Sequence, residues 1–175
     1  SQGNTMYIRS SNVTKILQKY INSFDYIVGT DDEINILGGS NQINNSINIV
    51  SKLINTGVIV HKLGKQGCRI YDINSRKRRI FKVKSFKSTV VNAQGAGDSF
   101  LSGFVKGLIS NLPLSKCGLI ANACGAITVS RHACSDSSPS MDEVNFYLSS
   151  KDKQATIKNP QFLHLHWKTR RVVNK

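Results

Sequence analysis

Residues 90–108 read VVNAQGAGDSFLSGFVKGL. Two branched apolar residues, Val90 and Val91, run into a polar turn holding Gly95 and Gly97. Asp98 follows, and apolar residues at helical spacing begin there. A glycine turn feeding a helix leaves backbone N–H groups unpaired, and with the helix dipole they form an anion site. Glycine lets a phosphate approach the backbone closely. A carboxylate placed there would repel the phosphate, unless its task is to take the proton from a hydroxyl that then attacks the phosphorus. The competing reading is a first-turn acid favoured by the dipole, and for an isolated G-x-G-D that is the commoner case. No Gly-Lys-Ser/Thr follows, so this is not a Walker motif.

Other residues are candidates for chemistry. GTDDE, residues 29–33, places acids at a helix start, and KLGKQGC, residues 62–68, is a strand end with a Gly64–Gly67 turn. Cys68, Cys117, Cys124 and Cys134 form no CxxC pair, and the expectation is buried or inert thiols and no metal site. His132 and Cys134 read either as structural residues of the loop after a helix, the commoner case, or as lining of a nucleotide or cation pocket. His164, His166 and Trp167 read as surface or packing residues, and Arg170 and Arg171 as a solvated tail.

Gly95-Ala96-Gly97-Asp98-Ser99-Phe100 resembles in full the signature of the ribokinase-like (PfkB-type) carbohydrate kinases. The resemblance implies that Gly95, Ala96 and Gly97 hold the transferring phosphate and that Asp98 is the catalytic base. It implies ATP as phosphate donor, Mg2+, and room for a monovalent cation. KLGKQGC is similar to the family's strand and turn near the nucleotide, which implicates Lys62, Gly64 and Gly67. Asn122, in ANACGA, falls on a helix that borders the adenine pocket in such kinases. GTDDE resembles an N-x-x-E motif that organises magnesium through water, which implicates Glu33 and Thr30. VVN before the signature, SRHACSD before a proline and the LHWKTRR tail resemble a narrower branch. That branch phosphorylates the sugar acid 5-dehydro-2-deoxygluconate in myo-inositol catabolism.

Two departures from the family stand out. Thr30 replaces the asparagine of N-x-x-E, which predicts weakened metal organisation with Glu33 retained. The family's sugar-binding strands and lid precede the matching segment. The expectation is therefore a fragment, a split-gene product or a degraded reading frame, with an exposed sheet edge and apolar faces, and with a missing N-terminal half or a second copy as partner. The alternative function is a truncated, non-catalytic nucleotide-binding remnant or subunit.

The elements that must position these residues follow from periodicity. Helices are expected over 12–24, from 31 to 37, over 41–55, 97–110 and 114–130, and from about Ser140, which Glu143 would help to cap. Strands are expected at 25–28 and 58–63, followed by an antiparallel hairpin of CRIYDI and RRIFKVKSF. The fold class is α/β, a ribokinase-like layered α/β/α with a mostly parallel sheet that lacks its N-terminal strands. Residues 29–33, 64–67 and 92–98 all lie at strand ends or helix starts, where ligands of such sheets gather. Residues 1–150 read as the nucleotide-binding part of the kinase domain and 151–175 as a basic extension.

The whole chain is 175 residues, 39% hydrophobic and 19% charged, in the range of a globular domain. Its 24 basic and 10 acidic residues give a net charge of +14. Nucleic-acid binding is disfavoured because the basic residues are scattered apart from RKRR at 76–79 and KTRR at 168–171. No apolar run approaches the roughly 20 residues of a membrane span. The N-terminus has no signal-peptide core, and the expected location is cytoplasmic.

Overall fold

The computed structural model describes residues 11–74, 78–132, 137–163 and 165. The chain divides into two compact units, one of residues 1–64 and 68–82, the other of residues 65–67 and 83–175.

In the first unit, α1 (Ser11–Tyr20) and a 3-10 turn (Ile21–Ser23) lead to β1 (Tyr26–Gly29). Next come α2 (Asp31–Gly38), α3 (Ile43–Leu53), β2 (Val58–Lys62), β3 (Cys68–Asp72) and β4 (Arg79–Val83), whose last residue belongs to the second unit. The sheet order is β1-β2-β3-β4. β1 runs parallel to β2 with Gly29 opposite His61, and β2 runs antiparallel to β3 with Val60 opposite Ile70. The parallel character expected for the fold rests in the β1–β2 pair, and β3 reverses direction. β2 is nearly continuous in apolar residues because both of its faces are covered, and Val58, Ile59, Val60 and His61 are all buried.

The core of this unit is Ile21, Ile34, Ile47, Val50, Ile54 and Ile59. Gly39, at φ 65, ends α2 in the left-handed conformation that glycine adopts without a Cβ penalty. Asp72, almost fully buried, accepts from Arg79 Nη2 at 2.7 Å. One member of the basic turn is thereby a structural counter-ion; Arg76 and Lys77 lie outside the described residues. The apolar stripe of α1 does not face a core. Val13, Ile16, Leu17 and Tyr20 are all exposed, and no residue of α1 is buried.

The second unit pairs α4 (Ala96–Ile109) with α5 (Leu114–Val129), then adds α6 (Met141–Ser149) and α7 (Lys153–Ile157). α4 and α5 approach closely because their facing residues are small. A Cβ on Gly103 would come within 2.7 Å of Cys124 Sγ, and one on Gly107 within 2.9 Å of the Cys117 Cα. That contact explains the run of small residues in α5, whose helical periodicity is otherwise weak. Ile120, Ala123, Ile127, Val144, Tyr147 and Phe162 make the core. Ser140 caps α6 as expected, accepting from Glu143 N at 3.3 Å while Glu143 Oε2 accepts from Ser140 N at 2.7 Å. The buried Glu143 also pairs with Arg131. Residues 153–163, expected as part of an extension, reach this core through Ile157 and Phe162. Cys134, His164, His166, Trp167, Arg170 and Arg171 lie outside the described residues. Among the described residues no helix is long and apolar enough to cross a membrane.

Candidate active site

The glycine turn belongs to the second unit. Gly95 is the N-cap of α4 at φ 75, a conformation that β-branched or bulky residues resist. Ser99 N donates to Gly95 O at 2.9 Å and is the first amide of α4 with a helical acceptor. Ala96 N makes only a long bond of 3.4 Å to Ala93 O. The amides of Gly97 and Asp98 are first-turn amides and have no acceptor within the helix. Asp98 is exposed on that same turn, and among the described residues its carboxylate has no ion-pair partner.

Two sets of contacts hold this turn in place. Ser99 Oγ, buried beside Asp98, accepts from Thr128 Oγ1 at 2.8 Å and ties the first turn of α4 to the last turn of α5. Upstream, Val129 O at the end of α5 accepts from Val91 N at 2.7 Å and from Asn92 N at 3.1 Å. Asn92 Nδ2 donates to His132 O at 3.1 Å, and its Oδ1 accepts from Gln94 N at 2.9 Å. Asn92 therefore fastens the segment before the signature to α5. Its sequence signal was the asparagine of VVN, an Asx-turn former.

Gly67 and Asn122 meet one segment of chain from two directions. A Cβ on Gly67, at φ 97, would lie 2.1 Å from Val83 O and 2.6 Å from Ser85 N. Asn122 Nδ2 donates to Val83 O at 3.1 Å and to Lys84 O at 3.2 Å. Asn122 is 4% exposed, so its amide donors serve the backbone at 83–84. Gly64, at φ 53, has open space where a Cβ would be.

The acidic motif belongs to the first unit. Thr30 is the N-cap of α2, and Glu33 closes a capping-box arrangement with it. Glu33 Oε2 accepts from Thr30 N at 2.6 Å and from Thr30 Oγ1 at 3.0 Å, and it lies 3.5 Å from Lys62 Nζ. Partial burial alone would raise the Glu33 pKa. The Thr30 amide, the Lys62 charge and the Thr30 hydroxyl outweigh that and hold it below its ordinary value. Glu33 is thus an ionised carboxylate with Oε2 committed, and among the described residues Oε1 makes no hydrogen bond or ion pair. That donor set fits a magnesium ion held through water, with Oε1 accepting from a coordinated water. Among the described residues no three His, Cys, Asp or Glu side chains cluster for direct metal ligation.

Sequence reasoning missed the buried His61, whose Nε2 meets Asp31 Oδ1 in the same turn. Cys68, Cys117 and Cys124 are buried and in no disulfide, and burial pushes the Cys124 thiol up to about 12. Residues 29–33 lie in the first unit and 92–98 in the second, and residues 64–67 are divided between them.

Residues 1–141 match the pfkB family carbohydrate kinase profile. Over 68 residues, 39% of this chain, it is 34% identical to 5-dehydro-2-deoxygluconokinase 1 of Bacillus cereus (strain ZK / E33L), covering 20% of that protein. Over 63 residues, 36% of this chain, it is 35% identical to 5-dehydro-2-deoxygluconokinase of Geobacillus thermodenitrificans (strain NG80-2), covering 19% of that protein. The match thus spans about a fifth of the length of these curated relatives. The Arabidopsis thaliana ribokinase complexed with ribose and ATP superimposes with a TM-score of 0.68 at 20% identity, over 77% of this chain and 44% of its own. A putative ribokinase II from E. coli in complex with ATP and Mg2+ gives 0.67 at 22% identity, over 75% of this chain and 41% of its own. The fold is ribokinase-like α/β.

Proposed function

This chain belongs to the pfkB family of carbohydrate kinases, and from that premise we propose that it carries the phosphoryl-transfer machinery of a cytoplasmic, ATP-dependent sugar-acid kinase. The acceptor in this reading is 5-dehydro-2-deoxygluconate. The observation that carries the reading is the start of α4. A left-handed Gly95 opens the helix, two first-turn amides lack helical acceptors, and Asp98 stands on the same turn.

Asp98 accepts the proton of the acceptor hydroxyl. The hydroxyl oxygen forms its bond to the γ-phosphorus as the bond to the ADP oxygen breaks, and ADP leaves. The amides of Gly97 and Asp98, with the backbone of Gly95 and Ala96, take up negative charge on the transferring group. They do so at no reorganisation cost, because Thr128, Val129 and Asn92 already fix the turn. A bound magnesium would supply charge neutralisation at the phosphates, and Glu33 would be the residue to hold it through water. Thr30 serves this role by orienting Glu33. In this reading Lys62, the last residue of β2, and Gly64 are the nucleotide-binding residues of the first unit. Gly67 and Asn122 are those of the second, where both fix residues 83–85.

The sugar-acid assignment is supported by the matches to two 5-dehydro-2-deoxygluconokinases and by the SRHACSD and LHWKTRR elements. A second reading is favoured by the aligned fraction, 41% and 44% of two solved neighbours. In it the chain binds nucleotide and leaves acceptor binding to further polypeptide. Both are tested by measuring ADP formed from ATP and Mg2+ with 5-dehydro-2-deoxygluconate, ribose or fructose, alongside nucleotide affinity. ADP formation dependent on the sugar acid supports the first reading. Nucleotide binding with no transfer supports the second, and absence of both rejects each.

A further inference from the structure

We propose that His61 is a positioning residue for the acidic turn at the start of α2, acting through Asp31; this rests on the assignment of Glu33 to magnesium. His61 is 2% exposed in β2, in register with Gly29 of β1, so its ring is fixed by the sheet. Its Nε2 meets Asp31 Oδ1, whereas the Asp31 side chain is 63% exposed. A carboxylate only accepts, so the ring donates through Nε2–H, and the neutral ring is the Nε2–H tautomer. Its Nδ1 is buried without a hydrogen-bond partner among the described residues. A buried polar atom left unpaired has a cost, and the geometry is retained because the other nitrogen is committed to Asp31.

Three of the contacts at residues 30–33 involve Thr30, Asp31 and Glu33 side chains. The contacts of Thr30 with Glu33 are internal to the turn and cannot orient it against the sheet. The Lys62–Glu33 pair, at 3.5 Å and partly exposed, is a point charge on a flexible stem. His61, buried and held in the sheet, is the rigid one of these three. It sets the direction in which α2 begins, and thereby where Glu33 Oε1 points.

The test uses the full 175-residue chain. Binding of a non-hydrolysable ATP analogue is followed by calorimetry over a range of magnesium concentrations, and the imidazole nitrogens are followed by 15N NMR. The unmodified chain should show the Nε2–H tautomer. Asp31→Ala, at an exposed site compatible with folding, should lose that tautomer preference. It should also raise the magnesium needed for half-maximal nucleotide binding roughly tenfold, as for a partner that orients a metal-organising group. Metal-free nucleotide affinity should stay unchanged. His61→Gln, which keeps a donor, should lie closer to the unmodified chain than His61→Ala. A changed tautomer with an unchanged magnesium requirement in Asp31→Ala makes the pair purely structural and overturns the proposal alone. No nucleotide binding by the unmodified chain overturns it together with the kinase reading.

Discussion

Thr30 Oγ1 lies 3.0 Å from Glu33 Oε2, and the Thr30 amide lies 2.6 Å from the same oxygen. The residue that departs from N-x-x-E is therefore the one that fixes the surviving acid. Threonine is shorter than asparagine, but here it works three residues from its partner across a single helical turn. Thr30→Ala removes the hydroxyl that donates to Glu33 Oε2 and should cost about 0.5–1.5 kcal/mol of stability. Thr30→Asn, which keeps a side-chain donor, should cost less. Denaturant unfolding of the three chains measures both.

The lowered pKa of Glu33 gives stability a pH dependence of known sign. A folded-state value below the ordinary 4.5 means that the unfolded chain takes up the proton first as pH falls. The contribution is present above about pH 4.5 and is lost as pH falls through the folded-state value. Lys62→Met removes one of the charges responsible and should raise the Glu33 pKa, read from its carboxyl 13C shift. No upward movement would detach Lys62 from Glu33.

Gly67→Ala should be among the most damaging single changes. Its φ of 97 disfavours any side chain, at about 1–3 kcal/mol, and the new methyl would also meet Val83 O. Asn122→Leu should cost about 1–3 kcal/mol by leaving carbonyls at 83 and 84 without their donor. Because both changes act on residues 83–85, their costs should not add in the double variant, which chemical unfolding of the pair would show.

The turn at Gly95 and the helix after it were legible in the sequence. A glycine at positive φ followed by apolar residues at helical period leaves few alternatives. The Ser140–Glu143 cap was legible for the same reason, since both partners sit within one turn. What was hidden depends on residues far apart in sequence. Asp31 and His61 are 30 positions apart, and Asn92 and His132 are 40 apart. No periodicity encodes such pairings, nor the bonds by which Asn122 Nδ2 holds Val83 O and Lys84 O, 39 and 38 positions away. The stripe on α1 shows the limit in the other direction. Periodicity identifies an apolar face but not what lies against it.

The thiols should be inert in the folded chain. With its pKa pushed up to about 12, Cys124 is almost wholly protonated at pH 8 and is buried as well. In a Cys134→Ser background, Ellman's reagent should label no cysteine rapidly until denaturant is added. Fast native labelling at Cys117 or Cys124, located by peptide mass mapping, would show that the α4–α5 contact opens readily.

The central claim is that Asp98 is the base beside a preformed phosphate cradle. The most direct measurement compares the unmodified chain with Asp98→Asn for ADP formation dependent on 5-dehydro-2-deoxygluconate, with nucleotide affinity determined on the same samples. Loss of a positioned general base predicts a fall in turnover of about 10²–10⁴-fold with nucleotide affinity unchanged. Near-normal turnover in Asp98→Asn would contradict the account and return Asp98 to a first-turn acid held by the helix dipole.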